Sequence, residues 1–503
     1  MIARHVLVLL LLGATIVVGR AHTFHEPFET DITGAAVIGR ELLQGRRLYS
    51  EIWDHKPPAL HLTHAAAVAV AGTGPAAIFV LNLGAALTSL AGVYVAAARF
   101  SPAAALWAAA FWAAVSGDLW MQANQPNTEA FINACVIWAL ALLLHAHSNS
   151  RVWRFAAVGA LFALASLYKQ VVIAPVAFLV AAHVVAPPEG RSRRQAVVDV
   201  LLVAGVGVAA WTAVLGYFAL EGRLAHLWSA VFDYNRHYIG RFPSSMRIAA
   251  FGTPQLAGLW LSGSFPLFVV AVAGLVAGAF KTRGRPWCLL VALGLATPIA
   301  VALPGQLSAH YYQLWLPVLV LGAAFTVSLV SNLRLRAVSA APVLGAALVV
   351  LVLAGELPYY GISAEDWSVA KYGEIFVEER RLAREIDQLL LPNEAFYEWG
   401  SEVGLYYWSG RRVFSGAFSA WPAVVGPEAS RLQAQVFADL RREPPELYVR
   451  ALWTDEYIRT PTPATDWLAA NYRPLPVSHP SEFFALYVRR GGALERRLTY
   501  AAR

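Results

Sequence analysis

The sequence predicts an α-helical polytopic membrane protein that ends in a small α/β domain. Three observations predict it. Hydrophobic residues make up 58% of the 503 residues and charged residues only 14%, against roughly 25% charged in an ordinary soluble domain. Apolar runs of about 18–23 residues recur, the length needed to cross a bilayer core. After residue 355 charges return and apolar runs shorten, the pattern of a soluble domain. The chain therefore divides into a membrane domain, 1–355, and a soluble domain, 356–503.

The opening "MIARHVLVLLLLGATIVVGR" has a basic start and an apolar core from Val6 to Val18. A cleaved signal peptide shares these features. No small-x-small cleavage site follows cleanly, so a retained first helix is expected. Further spans are expected near 76–98, 102–118, 128–147, 154–168, 170–187, 196–218, 257–280, 288–303, 313–331 and 337–354, about 11–13 membrane helices in all. Residues 59–72, with His61 and His64, are short; a helix at or dipping into the outer face is expected, or a crossing broken at "GTGP". Cys135 and Cys288 lie far apart in apolar segments and suggest neither a disulfide framework nor a zinc site.

Orientation follows from the basic gaps. Arg99, Arg151, Arg154, Arg191, Arg193, Arg194, Lys281, Arg283, Arg285, Arg334 and Arg336 occupy short gaps with almost no acids beside them. The positive-inside rule puts these gaps and the N-terminus in the cytoplasm, and the C-terminal domain outside, in a plasma (inner) membrane. The same placement explains the net charge of +7 without a nucleic-acid partner.

The outward gaps have a different chemistry. They hold residues 21–58, "GDLWMQANQPNTEAF", the "YKQ" around Lys169, residues 219–255 with "FDYNRHYIGRF", and "PGQLSAHYYQLW". Ionisable groups at membrane depth are expensive and mark functional sites by default. Their crowding on one face points to an active site or pathway at the outer leaflet.

The first outward loop, 21–58, is the most informative. "TDITGAAVIGRELLQG" has apolar residues at helical spacing and is too short and polar to span, so an amphipathic helix on the membrane surface is expected, ended by Gly45. Asp31 at its start reads either as an N-cap or as a functional acid. Then comes "YSEIWDHKPPAL", in which Asp54, His55 and Lys56 precede two prolines; solvated interfacial residues are the plainer reading. Pro57 and Pro58 restrict the backbone and hold Lys56 at headgroup level. Glu129 in "NTEAF" reads as an N-cap companion, a second acid or a metal ligand. Arg236 and His237 could face a headgroup; an aromatic belt explains Tyr234 and Tyr238 as well.

The stretch "TDITGAAVIGRELLQGRRLYSEIWDHKPPAL" resembles the first extracytoplasmic loop of the GT-C glycosyltransferases. The nearest resemblance is to protein O-mannosyltransferases, aminoarabinose transferases and rhizobial lipopolysaccharide sugar transferases. The parts that carry it are Asp31, Arg40, Gly45, Tyr49, Asp54, His55, Lys56, Pro57 and Pro58. Such a family often has Asp-Glu at the first position. Here Asp31-Ile32 stand there with Glu29 two residues earlier, and spacing to Gly45 favours Asp31. "NTEAF", "YKQ", "AHYYQLWLPVLVL", "FYEWGSEVGLYYWSGRRVFSG" and "FFALYVRR" extend the resemblance over nearly the whole chain.

The resemblance implies a GT-C fold and transfer of a sugar from a polyprenyl-phosphate donor to a glycan, lipid or protein acceptor outside the cytoplasm. It implies Asp31 as base and Lys56 as anchor of the donor phosphate. His55, Lys169, Arg236, His310 and Tyr311 are further phosphate candidates, and Glu129 a second acid. Some members use a divalent cation, which Asp31 with Glu129 could hold. A lipid transporter or flippase is the rival reading; it would more often show inverted repeats, and no internal repeat is visible.

In the tail, "EERRLAREIDQLL" and "DWLAANY" read as helices and "EAFYEWG", "ELYVRALW" and "FFALYVRR" as strands. Its many aromatic residues serve packing by default.

Overall fold

A computed structural model of the protein describes residues 2–241, 243–335, 338–456, 461–475 and 481–501. Arg336, one of the basic-gap residues, lies outside them. The described chain divides into two compact units: residues 1–24, 79–217 and 242–363, and residues 25–78, 218–241 and 364–503.

Apart from 257–280, the expected apolar runs fold as helix. In chain order they begin with α1 (Ile2–His22), α2 (Thr30–Leu43), α3 (Pro58–Ala71), α4 (Pro75–Ala97), α5 (Pro102–Val115), α6 (Thr128–Leu144), α7 (Val152–Tyr168), α8 (Ile173–Val185) and α9 (Arg193–Leu220). Phe265–Lys281, Arg285–Ala302, Leu316–Leu329 and Ala340–Glu356 follow. Among the described residues six helices are long and apolar enough to span, and six more are apolar but shorter. The expected run 257–280 is broken: Thr253–Leu261 ends at Ser262, and a new helix starts at Phe265.

The first unit packs through small residues. A Cβ on Gly274 would strike Thr326 Oγ1, and one on Gly322 would meet Ala271 Cβ at 2.7 Å. Gly274 and Gly278 thus let Phe265–Lys281 lie close against its neighbours, where lipid offers no hydrophobic drive and close contact supplies the attraction.

The second unit contains α2, α3, the 218–241 segment and the tail. Its four-stranded sheet runs Phe396–Trp399, Leu447–Ala451, Phe484–Arg489, Tyr472–Pro474 in spatial order. The first pair is parallel and the rest antiparallel. The three expected strands, the Ile375–Leu389 helix and the Pro463–Asn471 helix all form; the short edge strand Tyr472–Pro474 carried no clear alternation. A parallel pair needs a crossover, and the Gly404–Trp408 and Ala429–Arg442 helices lie in the segment that makes it.

In this unit α2 is covered by protein rather than spread on a membrane surface. Ile32, Ala35, Ala36, Val37 and Ile38 are buried, and so are Arg40 and Glu41 on the expected polar side. Gly39 makes the packing possible: a Cβ there would meet Ala65 N at 2.7 Å and His64 C at 2.9 Å, so α2 and α3 touch backbone to backbone. Gly45, at φ +92°, ends the helix as expected. α3 starts at Pro58, a residue suited to the first turn because its missing N–H has no partner there, and stops at Gly72, φ +82°. Fourteen residues give about 21 Å, short of a bilayer core.

Candidate active site

The second unit brings Asp31 and Lys56, twenty-five residues apart, into one ion pair: Lys56 Nζ donates to Asp31 Oδ1 at 2.8 Å. Asp31 sits in the first turn of α2, but the cap position is Glu29, so Asp31 is not the N-cap. The Asp31 side chain is 42% exposed and that of Lys56 15%. A reactant can therefore reach the carboxylate while the ammonium is largely shielded.

Local structure aims Lys56. Tyr49 takes a left-handed conformation, φ +68°, unusual for a bulky residue. Its N–H donates to Ile52 O at 2.7 Å, and its buried hydroxyl donates to Lys56 O at 2.9 Å. The turn is pinned again by the Trp53 N–H donating to Gly416 O at 3.0 Å. Lys56 is thus held from behind by its carbonyl and from ahead by two prolines.

Around this pair lie other charges. Asp54 accepts from the His55 N–H at 2.7 Å and pairs with His55 Nδ1 at 3.1 Å and His61 Nε2 at 3.2 Å. Burial pushes the Asp54 carboxyl up, but Lys56, His55 and His61 outweigh it and hold it well below the usual range. Burial works against the Lys56 ammonium; Asp31, Asp54 and Glu29 overcome that and keep it charged beyond its ordinary range. Glu29 is the opposite case. Burial first, then Asp31, pushes its carboxyl up to about 8, against the pull of Lys56 and Lys371. Its Oε1 is buried without a hydrogen-bond partner.

His55 lies among aromatic rings, stacked near Tyr238 with centroids 6.1 Å apart and planes inclined by 27°, and beside Trp53 and Tyr234. Asn235 donates to His55 O at 2.8 Å. Arg236, on the same short helix, is exposed. Arg40 does not join the Asp31–Lys56 pair: it donates to Tyr406 O at 3.1 Å and Arg411 O at 2.8 Å, tying α2 to the tail.

The first unit carries a separate cluster. Glu129, in the first turn of α6 and 1% exposed, takes the Lys169 ammonium at 2.7 Å. Lys169 also stands 3.6 Å from the centre of the Tyr311 ring, a cation–π contact. His310 Nδ1 is 3.3 Å from Gln122 Oε1 and its ring meets Tyr311 edge-on. Asp31 and Glu129 each engage an ammonium, and among the described residues no group of three His, Cys, Asp or Glu is arranged to hold a metal ion.

Two clusters escaped the sequence. Lys371 pairs with Glu26, both side chains wholly buried. Ser262 donates to Asp118, whose Oδ1 also accepts from the Met121 N–H at 2.7 Å. The only advance signal was an unexplained charge, Lys371 in "SVAKYG", inside an otherwise ordinary helix.

Comparisons with known proteins agree with this architecture. Residues 55–217 match the profile of the dolichyl-phosphate-mannose-protein mannosyltransferase family. No curated protein sequence matches the chain. Among solved structures, it is similar to ArnT from Cupriavidus metallidurans bound to undecaprenyl phosphate: TM-score 0.60, 17% identity, covering 97% of this chain and 98% of that one. It is also similar to the oligosaccharyltransferase of Archaeoglobus fulgidus tethered with an acceptor peptide: TM-score 0.55, 15% identity, covering 97% and 74%. A complex of the archaeal enzyme AglB, from the same organism, with an inhibitory peptide and a dolichol-phosphate gives TM-score 0.56 at 15% identity over the same shares. With its helical membrane unit, its first-loop helix and its small sheet, the chain has the fold of the GT-C glycosyltransferases.

Proposed function

We propose that the protein is a membrane glycosyltransferase that moves a sugar from a polyprenyl-phosphate-linked donor to an acceptor outside the cytoplasm. The observation that carries the reading is the Asp31–Lys56 pair, a half-exposed carboxylate beside a shielded ammonium that neighbouring carboxylates hold above its ordinary range. The match of residues 55–217 to a mannosyltransferase family and the bound lipid phosphates of the structural neighbours support it.

The reaction needs two things of the protein. An acceptor hydroxyl or amine attacks the anomeric carbon, its proton must go to a base, and Asp31 takes it. The bond from that carbon to the phosphate oxygen breaks, and its electron pair leaves with the lipid phosphate. Lys56 meets that charge with fixed N–H donors in a site of low polarity. An ammonium has three donors; Asp31 occupies one. His55, which caps the Asp54 carboxylate, holds the headgroup side of the loop. In the first unit Glu129 holds Lys169, whose ammonium also stands over the Tyr311 ring.

The test is transfer of radiolabelled sugar by purified protein, with a panel of polyprenyl-phosphate sugars and an envelope extract as acceptor. Wild type transfers sugar from at least one donor. Asp31→Asn loses roughly 10²–10⁴-fold in kcat, the range of a general base, with donor binding retained. Lys56→Ala loses donor binding by roughly ten- to a hundredfold, as expected for a charge-assisted hydrogen bond. Equal activity in all three proteins overturns the residue assignment. No transfer from any donor overturns the enzyme reading, and lipid flux would then be measured.

A further inference from the structure

In the first unit, the end that carries the basic gaps holds cations that the fold leaves without a carboxylate. Arginines from two other gaps meet the last carbonyls of α6. Arg285 donates to Leu143 O at 2.9 Å, and Arg154 donates to His145 O. His145 itself donates from Nε2 to Val95 O at 2.8 Å, which ties in the end of α4. Arg99 stands four residues beyond Val95, and the Arg285 guanidinium feels its charge. Three arginines from three gaps thus gather at the C-terminal end of one helix. The dipole of α6 favours cations there, but a half-charge cannot balance three.

The carboxylate of this region is already engaged. Asp199 accepts from Arg191 Nε at 2.7 Å, and His183 Nε2 stands 3.1 Å from it. Among the described residues Arg99, Arg154 and Arg285 make no salt bridge. A guanidinium has five N–H donors. Arg285 spends donors on Leu143 O, Ala186 O and His183 Nδ1. Arg154 spends one on His145 O, and Arg99 is exposed. Arg99 and Arg154 therefore keep donors for an anion from outside the chain.

The kind of anion follows from the neighbours. Large apolar side chains next to these charges are more than half exposed: Val152 and Trp153 before Arg154, Val185 near His183, and Phe280 before Lys281. The Trp153 ring centre lies 6.0 Å from the Arg154 guanidinium. A free anion has no use for that apolar surface. A phospholipid meets both parts: its phosphodiester suits the guanidiniums, and its chains cover the apolar side chains. We propose that Arg99, Arg154 and Arg285 form a binding site for the headgroup of an anionic phospholipid, with Trp153 on its apolar side. The lipid neutralises the three cations and bridges the ends of α4, α6, α7 and the Arg285–Ala302 helix. The inference is independent of the roles given to Asp31 and Lys56.

The experiment is native mass spectrometry of the purified full-length protein in a neutral detergent, titrated with phosphatidylglycerol or with phosphatidylcholine of the same chains. Wild type binds phosphatidylglycerol on the order of a hundredfold more tightly, about fivefold for each of three arginines. Arg99→Gln, a change at an exposed side chain, loses roughly fivefold, and the double variant Arg99→Gln, Arg154→Gln roughly twenty-fivefold. Arg194→Gln, exposed at the same end but outside the cluster, binds as wild type does. Equal affinity for the two lipids overturns the proposal, and so does an affinity unchanged in Arg99→Gln. An equal loss in Arg194→Gln overturns it in favour of diffuse surface charge. Displacement of phosphatidylglycerol by an equal concentration of inorganic phosphate overturns it in favour of a free-phosphate site.

Discussion

Glu29 and Asp31 stand two residues apart with opposite surroundings. Asp31 has an ammonium at 2.8 Å and open access; Glu29 has a buried oxygen with no hydrogen-bond partner. Under the proposed function that contrast leaves the role of base to Asp31, while burial holds the Glu29 carboxyl above its ordinary range. It also fixes a sign. A carboxyl whose value in the fold is raised from 4.5 to about 8 gives stability that is fully present below pH 4.5 and lost as pH rises through 8. Glu29→Gln, neutral at every pH, therefore flattens the fall of Tm between about pH 5 and 8 seen in the detergent-solubilised wild type. A variant whose Tm falls as steeply as wild type over that window would show that Glu29 is ionised in the fold. Spacing to Gly45 marked Asp31 in the sequence, but nothing in "FETDI" distinguished the burial of one acid from the exposure of the other.

α2 is the element that depends most on a single residue. The contact of Gly39 with Ala65 N and His64 C is contact with backbone, which cannot rotate away. Gly39→Ala must push α2 from α3 and costs about 1–3 kcal/mol by overpacking, read as a lowered Tm. Gly205, within α9, has nothing within 4 Å of a new Cβ, so Gly205→Ala is neutral or raises Tm, since alanine favours helix by up to about 1 kcal/mol. Equal effects of the two changes would sink the close-packing argument. The helical period of α2 was legible, and so was its end at Gly45. Its environment was not: an amphipathic pattern is the same whether its apolar face meets lipid or α3 and the tail.

The whole molecule follows the distribution of charge along the chain. Basic gaps alternate with gaps rich in carboxylates, histidines and aromatic residues, and the positive-inside rule predicts that the first set is cytoplasmic. In a protein whose Cys135 and Cys288 are replaced by alanine, Ser192→Cys is expected to resist a membrane-impermeant maleimide in intact cells and Ser430→Cys to react. Both positions are exposed, so the difference reports sidedness. The reverse labelling pattern would invert the protein and place Asp31 and Lys56 on the cytoplasmic side.

By itself the sequence determined the helices and the chemistry of the first loop. Apolar length and turn residues such as Pro58, Gly45 and Gly72 act locally, and a bilayer leaves a long apolar run little choice but helix. The strands of the tail were legible for the same reason, through alternation and β-branched or aromatic residues. Only the tertiary structure decided that Asp31 meets Lys56 across twenty-five residues, that Arg40 serves the tail, that Glu129 meets Lys169, and that Lys371 reaches Glu26. Ion pairs between distant residues are set by how helices pack, and burial, which sets the charge of Glu29, exists only once they have packed.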